Sequence, residues 1–197
     1  MTETMAPEAL TAALLRPEAY PWQPAAIELI ETHVSWVFLA GDRVVKIKRP
    51  VVYPFVDFRD PATRHRSCQD EVRLNRRLTD GVYLEVAPIV RTPSGVCVGG
   101  DGEPVEWATV MRRLPAAGML DAMLRAGAAP AALGQRLATA LIPFHRDRCS
   151  PCGAGPETAA AATRLVTENL PELAPFTTPF RGHRQFTLIE SPLRGFI

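Results

Sequence analysis

Thr32 to Pro50, THVSWVFLAGDRVVKIKRP, is the stretch that most limits what this chain can fold into. Ser35-Trp36-Val37-Phe38-Leu39 is rich in β-branched and aromatic residues, Ala40-Gly41-Asp42 supplies turn chemistry, and Val44-Val45-Lys46-Ile47-Lys48 resumes the strand pattern. The expectation is a β-hairpin. Strand side chains alternate between faces, so Val44, Lys46 and Lys48 share one face while Val45 and Ile47 take the other. A lysine so placed has two explanations. It snorkels to solvent, or it is held inside to meet an anion.

Composition narrows the function classes. At 197 residues the chain is long enough for one domain, or for two lobes sharing an interface. A net charge of +1 gives no electrostatic case for nucleic acid or an anionic membrane surface. No apolar run is long enough to cross a membrane, and MTETMAPEALTAALL lacks the basic start of a secretory signal, so the expected location is cytoplasmic. Cys68, Cys97, Cys149 and Cys152 are too sparse for a disulfide framework. Cys149-Ser-Pro-Cys152 with His145 offers three soft ligands, short of a closed zinc site, and reads as an incidental loop pair.

Residues 2–16 predict a short amphipathic helix carrying Leu10, Leu14 and Leu15, which Pro17, Pro21 and Pro24 then break. Residues 25–32 predict a first strand, and VVYPFVDF an irregular apolar connection after the hairpin. Asp60-Pro61 is a helix start, with an acid to cap and a proline at the first helical position. That helix is expected to reach about Leu78, with Glu71, Leu74, Asn75 and Leu78 on one inward face. Strands are expected at 83–90, 96–98 and 105–111, and helices at 119–125, 131–145 and 157–170. The expected class is α+β, an antiparallel sheet plus one helix followed by an incomplete helical region. The expected organisation is 1–24 as helix and linker, 25–115 as the sheet lobe, 116–170 as the partial helical lobe and 171–197 as an irregular or disordered tail.

The runs ETHVSWVFLAGDRVVKIKRPV, FVDF, EVRLNRRL and VMRRLP resemble the N-terminal lobe of the protein-kinase-like fold, in its aminoglycoside phosphotransferase-like branch. The resemblance covers about residues 20–145. It implies an ATP-dependent phosphotransferase acting on an unknown small-molecule acceptor, with ATP and Mg2+ as cofactors. In that family Lys46 would hold the nucleotide phosphates and Glu71 would pair with it from the helix. Val110 to Leu114 would form the hinge whose backbone groups bond the adenine edge, with Val110, Met111 and Arg112 as its binding residues. Ser35 would sit at the phosphate-covering loop, although no G-x-G-x-x-G is present there. Many relatives continue into a P-loop kinase domain, whose G-x-x-x-x-G-K-[ST] motif does not occur in this chain.

Phosphoryl transfer in this fold also uses a catalytic-loop aspartate, an asparagine five residues on and a later metal-binding aspartate. Asp147, in His145-Arg146-Asp147, is the weak candidate for the first, but the position five beyond it is Cys152 and no aspartate follows. The sequence therefore leads one to expect a truncated, catalytically incomplete phosphotransferase with no identifiable metal ligand. A non-catalytic nucleotide-binding or regulatory module is the alternative.

Overall fold

The computed structural model describes residues 5–93, 95–128 and 132–148, together with Ala160 and Arg164. The chain divides into two compact units, Met1–Phe144 and His145–Ile197. Of the second, the last turn of one helix and the helical residues Ala160 and Arg164 are described. The helix expected at 157–170 otherwise lies outside the described residues, as do Cys149, Cys152 and the tail. Among the described residues no helix is long and apolar enough to cross a membrane.

The expected hairpin forms the middle of a larger antiparallel sheet. Strands β1 (Ile27–Glu31), β2 (Ser35–Ala40) and β3 (Arg43–Lys48) run as a meander. The turn between β2 and β3 passes through Gly41 at φ +69°, a conformation that strains any residue with a Cβ. A small hairpin follows, β4 (Val52–Tyr53) with β5 (Val56–Asp57), where an irregular connection was expected. Helix α2 (Pro61–Asn75) comes next, then β6 (Tyr83–Thr92), β7 (Gly95–Val98) and β8 (Pro104–Arg112). The six long strands have the order β1-β2-β3-β8-β6-β7, so β8 closes against β3 and brings the later strands beside the meander. The class is α+β, with helices packed on an antiparallel sheet.

Strand alternation gives this sheet two different faces. Phe38, Val45, Ile47, Ile89, Ala108 and Val110 form one buried apolar cluster, joined by Leu10 and Leu14 of α1 (Pro7–Leu14) and by Tyr20. Burying a leucine side chain contributes about 1.5–3 kcal/mol, so Leu10 and Leu14 make α1 part of this core. The Tyr20 hydroxyl donates to the Leu14 carbonyl at 2.6 Å, which satisfies the phenol inside the cluster and ties the chain after α1 back to it.

On the opposite face lies α2. Its N-terminus is capped by Asp60, whose carboxylate accepts from the backbone N–H groups of Ala62 and Thr63, with Pro61 opening the helix. The buried side chains of α2 are Arg64, Cys68 and Val72. The expectation of a leucine-bearing inward face is corrected here, because Leu74 and Leu78 are both exposed. Helical spacing from Arg64 through Cys68 to Val72 defines the seam, and ion pairs occupy places where apolar side chains would ordinarily be sought. Beyond the sheet, α3 (Leu120–Arg125) and α4 (Leu133–Arg148) are short and long helices respectively, and α4 continues through Pro143.

Candidate functional site

Strand β3 and helix α2 together build a three-residue charged cluster. Lys46 and Lys48 are two residues apart on β3 and so share a face, the face that α2 covers. Glu71 lies two turns into α2 from Arg64, which carries its carboxylate back over that face. The Lys46 Nζ donates to Glu71 Oε1 at 2.8 Å, and the Lys48 Nζ donates to Glu71 Oε2 at 2.5 Å. Each carboxylate oxygen thus has its own ammonium partner. Side-chain exposure falls from 27% at Lys46 to 11% at Glu71 and 9% at Lys48.

The electrostatics follow from this geometry. Burial pushes the Glu71 carboxyl up, but hydrogen bonds and charge from Lys46 and Lys48 outweigh it, and the net result lies below the ordinary carboxylate value. Two ammonium groups against one carboxylate leave one positive charge uncompensated within the cluster. Tyr83, at the start of β6, lies within electrostatic reach of the pair. Its phenol is pushed up first by burial and then by the Glu71 charge, against an opposing effect of Lys46.

A second ion pair fixes the helix that carries Glu71. The Arg64 guanidinium donates through Nε and Nη2 to Glu106 Oε2 at 2.8 and 2.6 Å, and through Nη1 to the carbonyls of Phe58 and Arg59. Glu106 Oε1 accepts from the Trp107 backbone N–H, so both carboxylate oxygens are satisfied. Both side chains are almost fully buried. Sequence reasoning missed this pair, which joins α2 to β8 and to the loop after β5. An arginine two helical turns before Glu71 was the available signal, but its partner is distant in sequence.

The remaining residues singled out from the sequence range from fully buried Ser35 to exposed Arg112. Ser35 begins β2 and is fully buried, with no hydrogen-bond partner for its hydroxyl among the described residues. It therefore does not present its hydroxyl from a loop. The β1–β2 turn closes one residue earlier, where the Thr32 hydroxyl accepts from the Ser35 N–H and donates to the Ser35 carbonyl. Val110 and Met111 sit inside β8, in register with Val45 and Val44 on one side and with Glu85 and Tyr83 on the other. The Arg112 N–H is bonded to the Val82 carbonyl, and the Arg113 N–H to the Asp42 carbonyl. Asp147 is in the last turn of α4, and its side chain lies outside the described residues.

Two cavities of about 370 and 350 Å³ occur elsewhere. One is lined by the alanine-rich side of α1 with Arg16 and Glu18, the other by residues of α3 and α4. Neither is lined by Lys46, Lys48 or Glu71. Among the described residues, no group of three or more His, Cys, Asp and Glu side chains is placed to hold a metal ion.

Comparison with known proteins gives relatives but no activity. No family model and no solved structure matches the chain. Uncharacterized proteins of Mycobacterium bovis and of two strains of Mycobacterium tuberculosis are each 40% identical to it over 151 residues. That alignment takes in 75% of this chain and 28% of each relative, so the chain matches only a minor part of their length.

Proposed function

We propose that the sheet and α2 form the nucleotide-binding lobe of an ATP-dependent, small-molecule phosphotransferase with a kinase-like fold, of the aminoglycoside phosphotransferase-like family. The observation that carries this reading is the Lys46–Glu71 pair, in which a strand lysine is aimed by a helix carboxylate while remaining partly open to water. A meander of three strands, a helix after a small hairpin, and three further strands, with the last closing on the third, supports this reading. A cluster with one uncompensated positive charge suits a polyphosphate.

Bound ATP would supply the phosphoryl group for transfer. Lys46 would hold the nucleotide phosphates and Glu71 would keep its ammonium oriented. The adenine edge would meet the chain where β8 ends, near Met111 and Arg112. Because the N–H groups of Arg112 and Arg113 are bonded within the sheet lobe, the carbonyls there and the residues following Arg113 are the groups to test. Mg2+ is part of the family reading, and no described residue is assigned to it. The acceptor is a small molecule of unspecified class, and catalysis by this chain alone is not part of the proposal.

A ligand that binds only the folded state raises the melting temperature, by an amount equivalent to about 2.7 kcal/mol at a hundred times its Kd. ATP or ADP with Mg2+ is therefore expected to raise the melting temperature of the 197-residue protein, and Lys46→Ala to remove most of that rise. An unmoved melting temperature at millimolar nucleotide would sink this reading and its non-catalytic alternative together. Transfer of the γ-phosphate to any added hydroxyl compound separates a phosphotransferase from a module that only binds.

A further inference from the structure

Two lysines share one carboxylate in the candidate site, and their surroundings differ. Lys48 is the more buried, makes the shorter contact with Glu71, and has its ammonium 5.9 Å from the ring centre of buried Phe58. The Phe58 carbonyl accepts from Arg64, which the Glu106 carboxylate holds in turn. Lys48 thus lies beside Phe58, whose backbone belongs to the buried network that fixes α2. Lys46 has roughly three times the side-chain exposure and is the lysine on which an incoming anion would arrive.

We propose that Lys48 is a positioning residue, the fixed partner of Glu71, which holds the carboxylate in place so that Lys46 is the exchangeable partner that turns to a phosphate-bearing ligand. The identity of that ligand rests on the nucleotide reading; the inequality of the two lysines rests on burial and contacts alone. The physical need is plain. A largely buried carboxylate stripped of its only cation is costly, and it lowers that cost by taking up a proton. With one lysine, drawing it toward a phosphate would expose the glutamate to that penalty. With two, Glu71 retains a salt bridge while Lys46 moves, and the site keeps its negative anchor. A solvated surface pair would need no such arrangement.

The test follows the Glu71 carboxyl itself. Protein carrying 13C-carboxyl glutamate is titrated by NMR, with the Glu71 resonance assigned from Glu71→Gln. Lys48→Met is expected to raise the Glu71 midpoint by at least about one pH unit, Lys46→Met by clearly less, and Lys48→Arg to leave it near the parent value. Equal shifts, or a larger one in Lys46→Met, overturn the proposal. If Lys48→Met does not fold, the comparison of Lys46→Met with Lys48→Arg decides it, because a shift in the former exceeding about one unit is incompatible with Lys46 as the lesser partner.

Calorimetry with MgADP in buffers of different ionisation enthalpy gives the second arm. Near pH 5 the parent is expected to bind without proton uptake, while Lys48→Met takes up a proton on binding as Lys46 leaves Glu71. Matching proton uptake in parent and variant overturns the exchange. Should the parent bind no MgADP while the titration ranks the lysines as expected, the nucleotide reading fails and the fixed role of Lys48 stands. Should it bind MgADP with the ranking reversed, the opposite holds.

Discussion

Helix α2 carries two ion pairs about two turns apart, and they are built to opposite specifications. At its N-terminal half, Arg64 and Glu106 are almost fully buried and every oxygen of the carboxylate is matched to a donor. Further along, Glu71 faces two lysines, one of them partly in water, and the charges do not cancel. The first cluster is closed and neutral; the second is open on one side and positive. A closed pair can only hold the helix, whereas an open cluster with surplus charge can also receive an anion. Because both lie on one rigid helix, the closed pair sets where the open one stands.

The largest effect is expected from breaking the closed pair. Arg64→Ala leaves Glu106 buried without its cation and the Phe58 and Arg59 carbonyls without their donor, at a cost of about 3–5 kcal/mol. Glu106→Ala should cost a similar amount. Replacing both by apolar residues of similar volume, Arg64→Met with Glu106→Leu, should recover much of that loss, because no buried charge is then left unmatched. Urea denaturation of the two single variants and the double variant measures all three. Single-variant losses below about 1 kcal/mol would mean that the pair is more hydrated than its burial implies, and the contrast between the clusters would collapse.

Glu71→Gln should come next, at about 1–3 kcal/mol at neutral pH, since two ammonium groups then face each other across a neutral amide. This loss carries a pH signature. The folded Glu71 carboxyl lies below its ordinary value, so its contribution is complete above the unfolded value of about 4.3 and fades as pH falls toward the folded one. The stability difference between parent and Glu71→Gln is therefore expected to be constant from about pH 5 to 7 and to shrink below about pH 4. A difference that grows on acidification would mean that burial outweighs the lysines at Glu71. The sign of the electrostatic balance would then be wrong.

What could be seen in the sequence was local. Alternation along β3 separated Lys46 and Lys48 from Val45 and Ile47, the Asp60-Pro61 start located α2, and the family resemblance nominated Glu71 as the partner of Lys46. The two ends of that pair could be named before their contact was observed. Pattern leaves Lys48 between snorkelling to solvent and meeting an anion, because no periodicity reports which of two same-face lysines a helix will cover more deeply. Arg64–Glu106 was invisible for a related reason, being a contact between residues 42 apart that exists only once β8 has closed on β3. The resemblance puts Ser35 at a loop, whereas it begins β2, because strand ends are set by hydrogen bonds such as those of Thr32, which sequence pattern does not fix to one residue. The N-terminal helix was visible, but its place in the core was not, since amphipathic spacing alone does not reveal which surface the apolar side meets.

The smallest expected effect tests why α2 turns the face it does. Leu74, with Leu78 just past the end of α2 at Asn75 rather than inside it as expected, is the stronger apolar signal here, and on hydrophobicity alone that side would be buried. The structure instead buries Arg64, Cys68 and Val72, leaving both leucines exposed. If the two ion pairs fix the rotation, then Leu74→Gln should change stability by less than about 0.5 kcal/mol, as for an ordinary surface position. Val72→Ala, which removes buried methyl groups beside Glu71, should cost about 1–3 kcal/mol. Helix propensity differs little between leucine and glutamine, so the first comparison is nearly free of backbone effects. A loss above about 1.5 kcal/mol in Leu74→Gln, with Val72→Ala near neutral, would rotate α2 toward its leucines. Arg64 and Glu71 would then turn away from β8 and β3, and both clusters would come apart together. The stability of one exposed glutamine thus bears on whether charge, rather than apolar area, decides the orientation of this helix.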